Sequence, residues 1–356
     1  MYTLDSYTIM IVSKYFDSIN DFINLVFVSK KFKDTIAKFH YNPIPLTSKT
    51  IDYFTHLETF YLYDSTNDNF GHLILSKNDV FNPIKTFYQI EVLFTVDYET
   101  FMLNTKRNIN FKSVCYTQDN RQSYGTQIPS DINFVGDYCY MKELNLPSIT
   151  IPNNVYSLNK FCFYNCYALS SVVISESVKF LGEGCFCYCF SLHSINMPST
   201  LLYIGDNCFS FCDSLEKIEI PNSTTFIGSG SFNGCSSLLE ISLPDNTRKI
   251  GEGTFMECLT LKNFVVPKNV DYIGESCFGN CTSLTDIKLN DNLKTIGKSC
   301  FEYCSSISDI KIPCGVSEIG ETCFNGCCHL RVVKLPKSVT KIGSNGFESF
   351  TQVVYQ

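Results

Sequence analysis

Residues 204–221 read Ile204-Gly205-Asp206-Asn207-Cys208-Phe209-Ser210-Phe211-Cys212-Asp213-Ser214-Leu215-Glu216-Lys217-Ile218-Glu219-Ile220-Pro221. The phrase returns with variations down the C-terminal half of this 356-residue chain. Its Ile-Gly or Leu-Gly opening falls at 181, 204, 227, 250, 273, 296, 319 and 342, each step being 23 residues. Eight openings in one unbroken frame establish an internal repeat, the first thing any fold must explain. A 23-residue unit cannot bury its own apolar face, so neighbouring units must stack.

Numbering each unit from its opening sorts the residues by task. Position 2 is glycine in almost every unit, as in Gly205 and Gly228, which predicts a tight turn at positive φ. Asn159 stands there once. Position 6 is phenylalanine from Phe163 to Phe347, implying a column of rings stacked inside the coil. Positions 12, 15 and 17 are aliphatic (Leu215, Ile218, Ile220), so 15 and 17 face inward on a short strand and 16 faces outward. Proline often follows at position 18, where it stops the strand. Each turn is therefore read as one short strand plus a compact return, for which a helix is one option. Parallel strands stacked in this way advance by about 4.8 Å per turn. The fold class is an α/β repeat solenoid with one short parallel strand per turn, plus a small N-terminal helical segment.

These residues resemble the leucine-rich repeats of the bacterial surface protein A (BspA) type, whose unit reads much like Ile-Gly-x-x-x-Phe-x-x-Cys-x-Ser-Leu-x-x-Ile-x-Ile-Pro-x-x-Val. The likeness covers 135–356. It implies a leucine-rich-repeat solenoid in a family whose members are usually described as binding or adhesion proteins, some of them at the cell surface.

Nineteen cysteines would suggest disulfides in a small secreted protein. The first residues lack a basic stretch followed by an apolar core, so reduced thiols and a cytoplasmic setting are expected, with surface association as the alternative. Seven cysteines occupy position 5 (Cys139 to Cys323) and eight occupy position 9 (Cys166 to Cys327). Cys-x-x-x-Cys pairs could hold a metal, but Ser231 and Thr254 replace position 5 without loss of register and no histidine joins the columns. Small buried packing residues are the better reading. Cys115, Cys187, Cys314 and Cys328 fall outside the columns and are expected to be exposed.

Residues 1–43 differ in texture. Apolar residues recur at helical spacing in three pieces: Ser6 to Phe16, Ile19 to Val28, and a third from Ser29 with Phe32, Ile36 and Phe39. Ser18, with Asp21 three residues on, reads as a cap. Asn42-Pro43 closes the segment. The order Leu4-Asp5, Ile9, Val12, Tyr15-Phe16, Asp21-Phe22-Ile23-Asn24-Leu25, Val28-Ser29-Lys30-Lys31-Phe32 resembles an F-box. Asp5 and Phe32 replace its usual proline and tryptophan. The resemblance implies docking of a ubiquitin-ligase adaptor through Leu4, Ile9, Phe22, Leu25 and Val28; the other reading is a helical cap on the solenoid. Residues 44–134 carry echoes of the repeat, such as Leu57-Glu58-Thr59-Phe60-Tyr61-Leu62, and are read as degenerate leading repeats with insertions. The polar stretch from Thr105 to Gln127 is expected to include an exposed loop.

The charge balance, −7 in all and dispersed, argues against nucleic-acid binding. No stretch is long and apolar enough to span a membrane. The five histidines are scattered and no catalytic signature appears, so neither an enzyme nor a cofactor is expected. What varies is the strand face. Position 16 ends in Lys288, Lys311 and Lys334, which would stack one strand apart and repel, with Asp286 and Asp309 at position 14 as partial compensation. The stripe is either an acidic partner's contact or a solvated, internally neutralised surface. Phe180, Tyr203, Phe226 and Tyr272 at position 23 form a further column, read as contact surface or edge packing. Together these features predict a non-catalytic scaffold that binds a protein partner through the strand face. The alternatives are an F-box substrate receptor of a cullin ligase and a cell-surface adhesion or antigen protein.

Overall fold

The computed structural model describes residues 5–72, 74–75 and 83–356. They form two compact units, 1–115 and 116–356.

In the first unit, helix α1 (Ser6–Ser13) is capped by Asp5, whose carboxylate accepts the Tyr7 and Thr8 amides at 3.1 and 2.7 Å. The residue that departs from the F-box pattern thus starts the helix. Helix α2 (Ile19–Val28) begins as its sequence predicts: the Ser18 amide and hydroxyl both donate to Asp21, each at 2.9 Å. The expected third helix is instead two short 3₁₀ turns, Lys30–Phe32 and Ile36–Lys38. Phe32, Ile36 and Phe39 are buried as their spacing demands. Lys30, Lys31 and Lys33 crowd one turn with like charge, which disfavours a continuous helix there. Phe22 packs edge-on against Phe16, Phe39 and Phe54, and Ile9, Leu25 and Phe32 cluster beside them.

Strands β1 (Thr59–Leu62), β2 (Gln89–Asp97) and β3 (Ile109–Tyr116) are parallel, with Thr59 opposite Gln89 and Ile90 opposite Ile109. Helix α3 (Tyr98–Asn104), capped by Asp97, crosses from β2 to β3. The stretch from Thr105 to Gln127, expected to include an exposed loop, has exposed turns at 105–108 and 125–127, and the rest is largely β3 and helix α4 (Gln118–Tyr124). Its polar residues Asn110 and Lys112 are exposed positions of a strand that further along buries Val114 and Tyr116.

The second unit is a solenoid. Three-residue strands such as Lys217–Glu219 and Glu240–Ser242 pair in parallel at the repeat spacing, Ile218 opposite Ile241. Each turn adds a two-residue strand at its opening, Tyr203–Ile204 pairing with Phe226–Ile227. The return between them is a run of tight turns. Inside, the phenylalanines form one column: Phe209, Phe232 and Phe255 stack at 5.7 Å with interplanar angles of 2 and 6°.

Glycine at position 2 has a different cause from the one its sequence suggested. These glycines do not adopt positive φ. A Cβ on Gly205 would instead lie 2.5 Å from the Glu183 amide nitrogen and 2.6 Å from the Gly182 carbonyl carbon, so the backbones of successive turns meet there. The left-handed residues are at positions 4 and 8, as in Asn207 (φ 53) and Phe211 (φ 57), or Ser276 and Asn280. That kink points the amides of Asn207, Phe209 and Phe211 forward, onto the carbonyls of Ser229, Ser231 and Asn233 in the next turn.

The thiol columns close the same network. Cys212 Sγ donates to the Phe186 carbonyl of the preceding turn at 3.2 Å, and every position-9 cysteine repeats the contact. Burial pushes these thiols up, Cys166 to about 12, so they remain protonated donors. Thr254 at position 5 donates to the Gly251 carbonyl at 3.0 Å, which explains its tolerance.

Candidate partner-binding face

Positions 14 and 16 stand outward along the solenoid while position 15 is buried, as in Lys217-Ile218-Glu219 and Asp286-Ile287-Lys288. The outward rows change character along the stack. In the middle, Lys217 lies 3.4 Å from Glu219 and 3.3 Å from Glu240, so its charge is matched. Lys288 has Asp286 at 4.0 Å, with both side chains more than half exposed, a pair of small energetic weight. Further along, the matching stops. Among the described residues, neither Lys311 nor Lys334 has a carboxylate within 4.0 Å, although the two face each other across a parallel bridge.

The ladder thins at that point. Where Lys217–Glu219 pairs over three residues, the turn around Lys311 keeps only the single bridge to Lys334. A cleft of about 890 Å³ opens there, lined by Asp309, Lys311, Lys334 and Lys337, with Ile312, Pro313 and Val332 among its apolar walls. Of the predicted residues, the structure brings Lys311, Lys334 and Asp309 together in the cleft; Lys288 and Asp286 lie outside its lining.

Lys337, Cys314 and Asp291 also line the cleft and were missed. Lys337 and Cys314 each follow the strand-stopping proline, Pro336 and Pro313. That position-19 signal was available in the repeat. Ser338, also in the lining, holds a buried hydroxyl oxygen that makes no hydrogen bond within the described residues.

Of the four cysteines expected outside, Cys314 and Cys328 are exposed and Cys115 is half-buried. Cys187 is a correction. It is buried at position 7 beside Ser210, and burial pushes its thiol up to about 11. At position 23, Tyr203 and Phe226 stack at 4.5 Å and Phe180 continues the row at 6.4 Å, whereas Lys249 separates Tyr272 from them.

In the first unit, Ile9, Phe22 and Leu25 are buried in the unit's own packing, and Val28 is 78% exposed. Leu4 lies outside the described residues.

A BspA type leucine rich repeat region, in six copies, matches residues 109–239 and 225–354. The chain belongs to the BspA-type leucine-rich-repeat proteins. Among solved structures, this BspA-type chain is similar to a leucine-rich repeat protein from Bacteroides ovatus. The two are 30% identical with a TM-score of 0.60, over 65% of this chain and 63% of that one. The present chain thus spans less than two thirds of that relative's length. It is also similar to a leucine rich cell surface protein from Faecalibacterium prausnitzii, 23% identical over 65% of this chain and 87% of that one, with a TM-score of 0.34. A leucine rich repeat protein from T. pallidum is 21% identical over 62% and 78%, with a TM-score of 0.39. Comparison with curated proteins gives no match. Among the described residues of this BspA-type protein, no helix is long and apolar enough to cross a membrane.

Proposed function

We propose that this BspA-type chain is a protein-interaction scaffold that grips a partner with the strand face of its solenoid. The observation that carries the reading is the cleft in which Lys311 and Lys334 stand side by side with unmatched charge. Two ammonium groups one strand apart repel each other, and a partner's carboxylate placed between them relieves that repulsion. Asp291 and Asp309, also in the lining, favour a partner that presents basic groups beside its acidic ones. In capture from lysate by the immobilised full chain, the Lys311→Glu/Lys334→Glu variant should lose at least tenfold of the specific partner while its thermal midpoint is unchanged. Lys217→Glu should have a smaller effect, because Lys217 is already paired. Capture that ignores the double reversal contradicts the reading.

A second docking surface is favoured by one observation in the first unit: Tyr15, Phe27 and Val28 are about four-fifths exposed on and beside the two helices. If residues 4–39 engage a ubiquitin-ligase adaptor, these side chains form the contact, with Ile9, Phe22 and Leu25 holding the helices behind them. Phe27→Asp/Val28→Asp should then abolish adaptor co-purification without unfolding the unit. Leu25→Asp cannot separate the two effects, since Leu25 is core. Adaptor recovery undiminished by the exposed pair would leave the helices as a cap.

A further inference from the structure

The opposite end of the solenoid's strand face holds a groove of different chemistry. Two adjoining hollows of about 720 and 400 Å³ share Ser130, Thr150 and Pro152. Charged residues make up 18% of the chain, a rate at which the sixteen residues lining the groove would include about three. None is an acid, a lysine, an arginine or a histidine. The contrast with the lysine-lined cleft lies within a single repeating frame, so what changes is the choice of side chain at equivalent outward positions.

We propose that this groove binds a neutral oligosaccharide. Thr126, Gln127, Ser148, Thr150 and Asn153 are exposed. Their hydroxyl and amide groups form no hydrogen bond with the rest of the described chain. Each hydroxyl both donates and accepts, and each amide offers two donors and an acceptor, the set that complements a ligand dense in hydroxyl groups. Between them lie apolar surfaces suited to the C–H faces of sugar rings: Pro129, Pro152 and Val173, the last 58% exposed.

Other ligand classes fit less well. A phosphate, nucleic acid or acidic peptide would need cationic partners that the groove lacks. A compact apolar ligand would need an enclosed site, whereas this one is open and fringed with polar groups. The groove crosses three successive turns, about 10 Å along the stack, which holds a short run of sugar units. This site is separate from the lysine cleft, so the proposal stands or falls independently of the partner reading above.

The test is calorimetric titration of the full chain with cellohexaose, maltohexaose, mannohexaose and chitohexaose, with hexagalacturonate as the charged control. Saturable binding of at least one neutral hexasaccharide is expected, with none of the charged one. Gln127→Ala/Thr150→Ala should weaken it at least tenfold, and Lys311→Glu should leave it unchanged. Both substituted positions are exposed, so thermal midpoints should match. Failure of all four neutral sugars to bind at millimolar concentration would overturn the proposal, as would binding indifferent to the double variant or equal binding of hexagalacturonate. Loss of protein capture in the double variant, with no sugar bound, would assign the groove to a protein partner instead.

Discussion

Gly205→Ala is expected to lower stability by roughly 3 kcal/mol or more, although it adds one methyl group to a small residue. The methyl carbon would lie 2.5 Å from the Glu183 amide nitrogen, 2.6 Å from the Gly182 carbonyl carbon and 2.9 Å from its oxygen. All three are backbone atoms of the preceding turn. A flexible side chain could swing aside, but here a whole turn must shift, with its strand pairing and its Phe and Cys contacts. In a solenoid each turn is stabilised by its two interfaces, so the damage concentrates at one of them and can divide the unfolding transition in two. Gly279→Ala is the control. Its Cβ would meet nothing closer than 3.4 Å and its φ is not positive, so the change should stay within about 0.5 kcal/mol. Urea unfolding of both variants checks the contrast. Equal, small effects would mean that position 2 is glycine for a reason other than the meeting of backbones.

The second large effect is expected at Phe232. It is fully buried between Phe209 and Phe255, with nearly parallel rings 5.7 Å away on each side. Truncation to alanine removes the ring's transfer free energy and leaves a cavity between turns that are held apart by their backbone ladders. Loss of about 3–5 kcal/mol is expected. Phe347→Ala should cost less, because Phe347 is half-buried and, among the described residues, stacks on Phe324 alone, at 5.0 Å. Phe232→Leu should recover part of the loss by filling some of the volume. If Phe232→Ala and Phe347→Ala proved equally mild, the ring column would not be what holds the turns in register.

The architecture was legible because its main signals are column-wise. A phenylalanine repeated every 23 residues can only stack, and a thiol repeated beside it can only be interior. The Ser18–Asp21 cap was legible because a side chain and two backbone groups three residues apart suffice to make it. What escaped were features decided between turns. The strand at Tyr203–Ile204 spans two residues, too short for alternation to register, and exists because the neighbouring turn pairs with it.

The left-handed residues at positions 4 and 8 are glycine or asparagine in some units (Asn207, Gly230, Gly234, Asn280). In others they are Phe161, Tyr188 or Tyr303, imposed by the forward hydrogen bonds rather than by local preference. The candidate site was half visible for the same reason. Lys311 and Lys334 announced themselves as a column. Lys337 and Cys314 joined them at the cleft beside the thinned ladder, and Lys288 lies outside its lining, with Asp286 4.0 Å away.

The central claim, that a partner sits on the strand face at the Lys311–Lys334 cleft, can be read at a single sulfur. Cys314 lines the cleft, Cys328 does not, and both thiols are exposed. The full chain, alone and bound to its captured partner, would be treated briefly with a maleimide and the extent of modification at each cysteine read by peptide mass spectrometry. Protection of Cys314 by at least tenfold, with Cys328 labelled at its free rate, is the predicted result. Equal labelling of Cys314 in the free and bound chain would contradict it.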